Sequence, residues 1–399
     1  MIDENISPEQ RARFMTNDQI SSLSAVPEKK YYKFIPIIYG ILCAAIIVLA
    51  AGRIIINSGT KNVLSPLVKE ALDGINLGPT VVNPINGEII KEADAITWKD
   101  TRPLGVMINN HTEARPQSGL ISADLIYEIV AEGGITRYLG FFLSNLPEKI
   151  GPVRSTREYY LVLVKELGDA MLMHIGYSPQ ALTAIESWPV RSLGRGGGEF
   201  WRDQPRLDAG IATEHTAYVS GPELRKVGDL LGWQGEREFE IWKFKNDGPV
   251  DTSQQCLIGE CDKPVVIDFW FKGDYTGAFR YDRATNSYLR FTGYDDKNQL
   301  IPLLDQESKK QVTVKNLIIQ FAVENSIPDD DKHRLEYTLV GSGQAVVFLD
   351  GKAIKAIWKK ESRDGRTKFF DTGGQEIVFN RGKIWVSIVP DRNIEQFIF

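Results

Sequence analysis

Between Arg102 and His174 the chain concentrates five arginines, two of its four histidines and two glutamates four residues apart, Glu128 and Glu132. From Thr101 to Gly210 the basic residues are Arg102, Arg115, Arg137, Arg154, Arg157, Arg191, Arg195, Arg202 and Arg206, against only Lys149 and Lys165. Arginine's planar fork suits two-point contact with carboxylate or phosphate, whereas lysine acts as a point charge. Such a set either pairs with internal carboxylates or faces an anionic ligand. Arg154 and Arg157 favour the second use. They flank an expected helix N-terminus, where the dipole opposes a cation by roughly 0.3–1 kcal/mol. A carboxylate or a ligand anion is therefore expected between them, and Glu128, Glu132 and Glu158 are the candidate carboxylates.

His111 and His174 follow or end apolar runs that read as strands, and strand C-termini are where open α/β sheets hold ligands. His215 would be the third member if the histidines converge. None shows metal-ligand spacing such as HExxH, so neither metal nor cofactor is assigned. Acid–base work by Glu128 or Glu132 with a histidine is chemically open, but GxSxG, SxxK and phosphate-loop motifs are missing. The candidate ligand-binding set is Arg115, Glu128, Glu132, Arg137, Arg154, Arg157, His111, His174 and His215. No catalytic residue is assigned.

Positioning this set requires particular strands and helices. Leu104 to Ile108 is a short apolar run delivering Asn109-Asn110-His111 at its end, as a buried strand would. Across Ala123 to Phe142 a helix would stack Asp124, Glu128 and Glu132 on one face. A hairpin explains more, because β-branched and aromatic residues flank Gly133-Gly134, a two-residue turn signal. That register sets Arg137 across from Val130, diagonally between the two glutamates. Ser155 with Glu158 forms a capping box that predicts a helix through Leu167. Ala170 to Ile175 reads as a strand, and Ser178-Pro179 starts a second helix. Alternating strands and helices imply a parallel, covered sheet over 97–250. The Gly- and Arg-rich stretch 194–210 has the composition of a loop or flap, and Glu223 to Leu231 looks helical. From Val265 the pattern changes to short alternating strands separated by turns, predicting a β-rich sandwich or barrel over 262–399.

Ahead of these domains, residues 1–33 are polar and mixed in charge, a tail. Phe34 to Gly52 is uncharged for 19 residues; as a helix it reaches about 28 Å, close to the hydrocarbon core of a bilayer. It predicts one transmembrane helix over 34–53. Lys29, Lys30 and Lys33 before it place the tail in the cytoplasm and the rest outside. Residues 54–96 read as a stalk. Cys256 and Cys261, outside the membrane, are a disulfide or two free thiols. The composition is globular, and the formal net charge of −5 argues against a nonspecific nucleic-acid binder.

Several stretches together resemble a known family: RPLGVMINN, ARPQSGL, ADLIYEIVAEGGITRYLGFF, GPVRSTREYY, GKAIKAIWKKES and NRGKIWVSIVP. They look like the YerB-like family of predicted bacterial lipoproteins, over roughly Asn83 to the C-terminus. The resemblance implies an N-terminal domain followed by a β-rich one, in an extracytoplasmic, membrane-attached bacterial protein. It brings no activity, ligand or catalytic residue. The apparent transmembrane anchor departs from a lipoprotein pattern. The expected function is a single-pass envelope protein of the bacterial cytoplasmic membrane, binding an anionic or sugar-containing ligand such as a cell-wall fragment. An envelope-polymer hydrolase or transferase, and a scaffold recruiting a protein partner, are the alternatives.

Overall fold

The computed structural model describes residues 78–196, 198–235, 238–247 and 263–399. The expected tail, membrane span, most of the stalk and the Cys256–Cys261 pair lie outside them. Among the described residues no helix is long and apolar enough to cross a membrane.

One long sheet organises the fold. The N-terminal half contributes β1 (Leu104–Asn109), β2 (Leu125–Val130), β3 (Thr136–Phe142), β4 (Met171–Met173) and β5 (Arg191–Ser192). Its longer helices are α1 (Glu158–Lys165), α2 (Pro179–Ser187) and α3 (Gly221–Leu230). The C-terminal half begins with β6 (Val265–Ile267), β7 (Gly277–Asp282), β8 (Ser287–Tyr294), β9 (Leu300–Pro302) and β10 (Thr313–Val314). It continues with β11 (Asn316–Ala322), β12 (Gly341–Leu349), β13 (Lys352–Lys360), β14 (Lys368–Asp371), β15 (Ile384–Pro390) and β16 (Phe397–Ile398).

Ten strands run in the order β14-β13-β12-β11-β15-β2-β3-β1-β4-β5. The seam between the halves is a parallel pairing of β15 with β2, Ile384 to Ile388 against Leu125 to Ile129. β1, β2 and β3 are buried along their whole length. That explains why they read as near-continuous apolar runs, since strands covered on both faces need no polar alternation. The remaining strands form a second sheet, β9-β8-β7-β6-β16 with β10 added to β8. The two sheets face one another through Phe279 against Trp385 and Tyr288 against Phe348. The architecture is thus mixed α/β followed by a β-rich part. The β-rich part has two facing sheets, one of which continues into the N-terminal half.

Side chains alternate across the strands. Ile126, Glu128 and Val130 point toward the second sheet with Trp385, while Tyr127, Ile129 and Arg137 point toward α1. There the Tyr160 hydroxyl donates to the carbonyls of Ile129 and Arg137.

Three expectations need correction. The β2–β3 hairpin exists, but its register pairs Ile129 with Arg137 and Val130 with Thr136. The connection is not a two-residue turn. Five residues, Ala131 to Ile135, make it, with Gly133 and Gly134 at φ 69° and 74°, a left-handed conformation that suits glycine. An odd loop length shifts the register by one, which moves side chains to the opposite face. Arg137 therefore shares no face with Glu128. Second, α1 starts after Arg157, and Ser155 does not cap it; the Ser155 hydroxyl donates instead to the Ile175 carbonyl. Third, the described part of the stalk is folded. Thr80–Val82 pairs with Ile89–Lys91, and buried Asn83 and Asn86 between them donate to the Asp124 carboxylate. The Ser178 cap of α2 is as expected, accepting from the Ala181 N–H.

Candidate functional site

On the α1 side of the sheet, the end of β1, the β2–β3 loop and the segment before α1 surround a cleft of about 410 Å³. The segment Gly151–Thr156 reaches it as an extended strip. The Asn109 N–H donates to the Pro152 carbonyl and the Arg154 N–H to the Met107 carbonyl; the Ile175 N–H donates to the Arg154 carbonyl. Arg154 is thus fixed by its backbone on both sides.

At the centre is Glu132, in the hairpin loop. It accepts from Arg137 Nη2 at 2.9 Å, from Arg157 Nη2 at 2.9 Å and from Arg157 Nε. Two further donors of this clamp go to backbone: Arg137 Nη1 donates to the Ser155 carbonyl at 3.0 Å and Arg157 Nη1 to the Thr156 carbonyl at 2.7 Å. Both arginine side chains are 10% exposed and Glu132 is 20% exposed. Burial by itself would raise the Glu132 pKa. The Arg157 hydrogen bond and the charges of both arginines outweigh it and hold the carboxyl below its ordinary range. One carboxylate thus holds two cations together, at the edge of the helix whose dipole disfavours them.

Arg154 is different. It lines the same cleft, yet no carboxylate among the described residues forms an ion pair with it. Burial and the neighbouring Arg157 both disfavour its charge, and only Glu214 and Glu132, at longer range, favour it. Lys332 and Arg334, from the loop joining the strands Glu324–Ser326 and Leu335–Tyr337, complete the basic lining. Arg334 is oriented by Asp330 at 2.6 Å. Five cations thus line the cleft and Glu132 is the one carboxylate among its lining residues, so the cleft favours an anion.

Two of the three histidines converge here. His111 and His215 stack with ring centroids 4.3 Å apart and planes 6° from parallel. With Glu113 they bring metal-capable atoms within 4.8 Å of one another, a grouping that residue spacing did not suggest. The hydrogen bonds assign the rings another role. Asn109 Oδ1 accepts from the His111 N–H at 2.9 Å, which turns its Nδ2 toward His215 Nδ1 at 2.7 Å. His111 Nδ1 likewise accepts from the Glu113 N–H. With Nδ1 accepting, each neutral ring carries its proton on Nε2 and presents a donor there, where a metal would need a lone pair. Burial above all, and the charge of Arg154, also lower the His215 pKa.

Three expected members lie elsewhere. Glu128 is on the opposite face of the sheet, fully buried, bridged by Arg290 Nη2 at 2.8 and 2.9 Å and contacted by Trp385 Nε1 and the Thr136 hydroxyl. Arg115 donates to Asn110 Oδ1 and the Asp274 carbonyl and lies over Tyr275. His174 is buried between the Gly176 carbonyl and the Ser192 hydroxyl. Burial lowers its pKa, and it stands behind the cleft rather than in it. Sequence reading passed over Asn109, Tyr177, Lys332 and Arg334 as site residues. Only the charged run Asp329 to Arg334 carried a signal for the last two, and nothing local connects it to Glu132.

Residues 90–234 match the N-terminal domain, and 265–386 the C-terminal domain, of a family described as "Protein of unknown function (DUF3048)". The chain is similar to the Bacillus subtilis (strain 168) protein named "Putative lipoprotein YerB", with 30% identity over 315 residues, 77% of this chain and 86% of that one. It is also similar to the crystal structure of YerB protein from Bacillus subtilis, with a TM-score of 0.65 and 29% identity over 80% of this chain and 99% of the other.

Proposed function

The chain belongs to the YerB-like family with paired DUF3048 domains, and from that premise we propose that it is an envelope protein, membrane-anchored and extracytoplasmic, whose cleft binds an anionic ligand. The name of its Bacillus relative and the uncharged run Phe34 to Gly52 support the location. The observation that carries the binding reading is Arg154, a cation without an ion-pair partner among the described residues, set beside an arginine pair that shares the single carboxylate of Glu132. Arg154 is partly buried; removing part of a cation's hydration without a paired counter-charge is costly, and a bound anion would offset that cost. Turnover has less support. Glu128 and His174 stand outside the cleft, and a glutamate held ionised between two arginines is a weak base.

The test is titration calorimetry of the purified full chain in detergent with inorganic phosphate and with an anionic wall polymer, alongside Arg154→Ala. Binding should weaken at least about tenfold in the variant, the equivalent of one charge-assisted hydrogen bond, while its melting temperature stays close to that of the wild type. Equal affinity in both proteins would remove the cleft from the reading. New product masses after incubation with the polymer would replace binding by catalysis.

A further inference from the structure

We propose that the ligand is a phosphate ester of a sugar or polyol, its phosphate among the arginines and its organic part against Tyr177. This rests on the anion-binding reading above and names the ligand class for the same cleft. Size is the first reason. A water molecule's share of liquid volume is about 30 Å³, so a free phosphate, with five heavy atoms, fills no more than about 150 Å³. The cleft, at about 410 Å³, leaves most of its space to something else. It lies instead in the range of sites that enclose small organic ligands, roughly 300–1,000 Å³.

The distribution of charge is the second reason. A carboxylate is satisfied by one guanidinium fork. Here Arg154, the Arg137–Arg157 clamp and the rim pair Lys332 and Arg334 surround one space, a better match to a group with three or more anionic or accepting oxygens. The rest of the wall is neither charged nor uniformly apolar. Polar Asn109, Ser155 and His215 line the cleft alongside Ile135 and Tyr177. The Ser155 hydroxyl already donates to Ile175, which leaves its oxygen free to accept from a ligand hydroxyl. An aliphatic chain would leave the Ser155 oxygen and His215 Nε2 without a ligand partner, whereas hydroxyls on a carbon ring or chain could bond to both.

Tyr177 supplies the flat surface. It is 42% exposed although it lines a cleft, and its backbone is locked by a bridge to Thr156 and by the His174 hydrogen bond to Gly176. Arg195 lies over its ring at 5.8 Å. An exposed aromatic on a fixed backbone, beside a cation cluster, can stack a sugar face at little entropic cost. His174 thus positions the residue rather than touching the ligand.

The experiment compares inorganic phosphate, glucose 1-phosphate, glycerol 3-phosphate, the diester glycerophosphoglycerol and neutral glucose, by titration calorimetry on the full chain. Glucose 1-phosphate should bind about five- to tenfold tighter than inorganic phosphate, a gain typical of one aromatic contact, and glucose alone should not bind measurably. Tyr177→Ala should erase most of that gain while leaving phosphate within about twofold; Tyr177→Phe should retain it. The relative order of monoester and diester distinguishes a free sugar phosphate from a polymer unit, and either order supports the ester class. Phosphate bound as tightly as its esters overturns this inference alone. So does a Tyr177→Ala variant that weakens every probe equally. Absence of phosphate binding in the wild type overturns the anion reading, and this one with it.

Discussion

Glu128 and Glu132 are four residues apart on one hairpin, and each is held by arginine, yet they belong to different parts of the molecule. Glu128 faces the second sheet, where it and Arg290 are both 0% exposed and Trp385 and Thr136 complete its partners. Glu132 faces the cleft, 20% exposed, between Arg137 and Arg157. The first pair joins strands 162 residues apart in sequence and has no access to a ligand. The second links neighbours around a space. The chemistry of the two carboxylates is identical, and water decides between structure and binding. Losing one partner of an ion pair sealed from water is severely destabilising, whereas a pair open to the cleft can exchange or share its partner with a ligand.

This contrast can be broken from its larger side first. Glu128→Gln should destabilise by about 3–5 kcal/mol, because Arg290 is left buried without its counter-charge. The double variant Glu128→Leu with Arg290→Met should recover much of that loss in urea unfolding, and the folded protein should still bind phosphate. Loss of phosphate binding in the folded double variant would show that the two faces are coupled.

A smaller effect is expected at Glu132. Glu132→Gln should cost about 1–3 kcal/mol, the range for hydrogen bonds to charged groups. Its pH dependence has a definite sign. The folded-state pKa lies below the ordinary 4.5, so the unfolded chain takes up the proton first and stability falls with falling pH. The gap in melting temperature between wild type and Glu132→Gln should be constant above about pH 5 and close progressively below 4.5, through the depressed folded value. A gap that persists at pH 2 would mean that packing, not charge, holds the clamp. Smaller still is Arg334→Ala. Its rim position and its pairing with Asp330 predict a two- to threefold loss of phosphate affinity at low salt that vanishes near physiological ionic strength, where the Debye length is about 8 Å.

Much of the local structure was legible in the residues. Apolar runs located β1 to β4, Ser178-Pro179 marked the start of α2, and the β-rich pattern after Val265 appeared in most of its strands. Arg154, Arg157, Arg137 and Glu132 were chosen from types and spacing, and they line one cleft. Glu128 was chosen by the same reasoning and lies on the wrong face. A register shifted by one residue separates those outcomes, and turn glycines signal a turn without counting its length. Ser155 and Glu158 had the spacing of a capping box, but the Ile175 carbonyl lay within reach of the hydroxyl, and a tertiary partner outweighed a local one.

What the sequence determined by itself was therefore what depends on near neighbours: strand and helix positions, a hairpin at Gly133-Gly134, and an arginine pair at the edge of a helix. Only the tertiary structure decided which face each glutamate occupies, that Arg290 seals one of them, that Asn109 reaches the His215 ring, and that Lys332 and Arg334 close the cleft from the other half. The reason is physical. Hydrophobic period and turn chemistry act within a few residues, whereas register, burial and counter-charge are settled by partners far away in the chain.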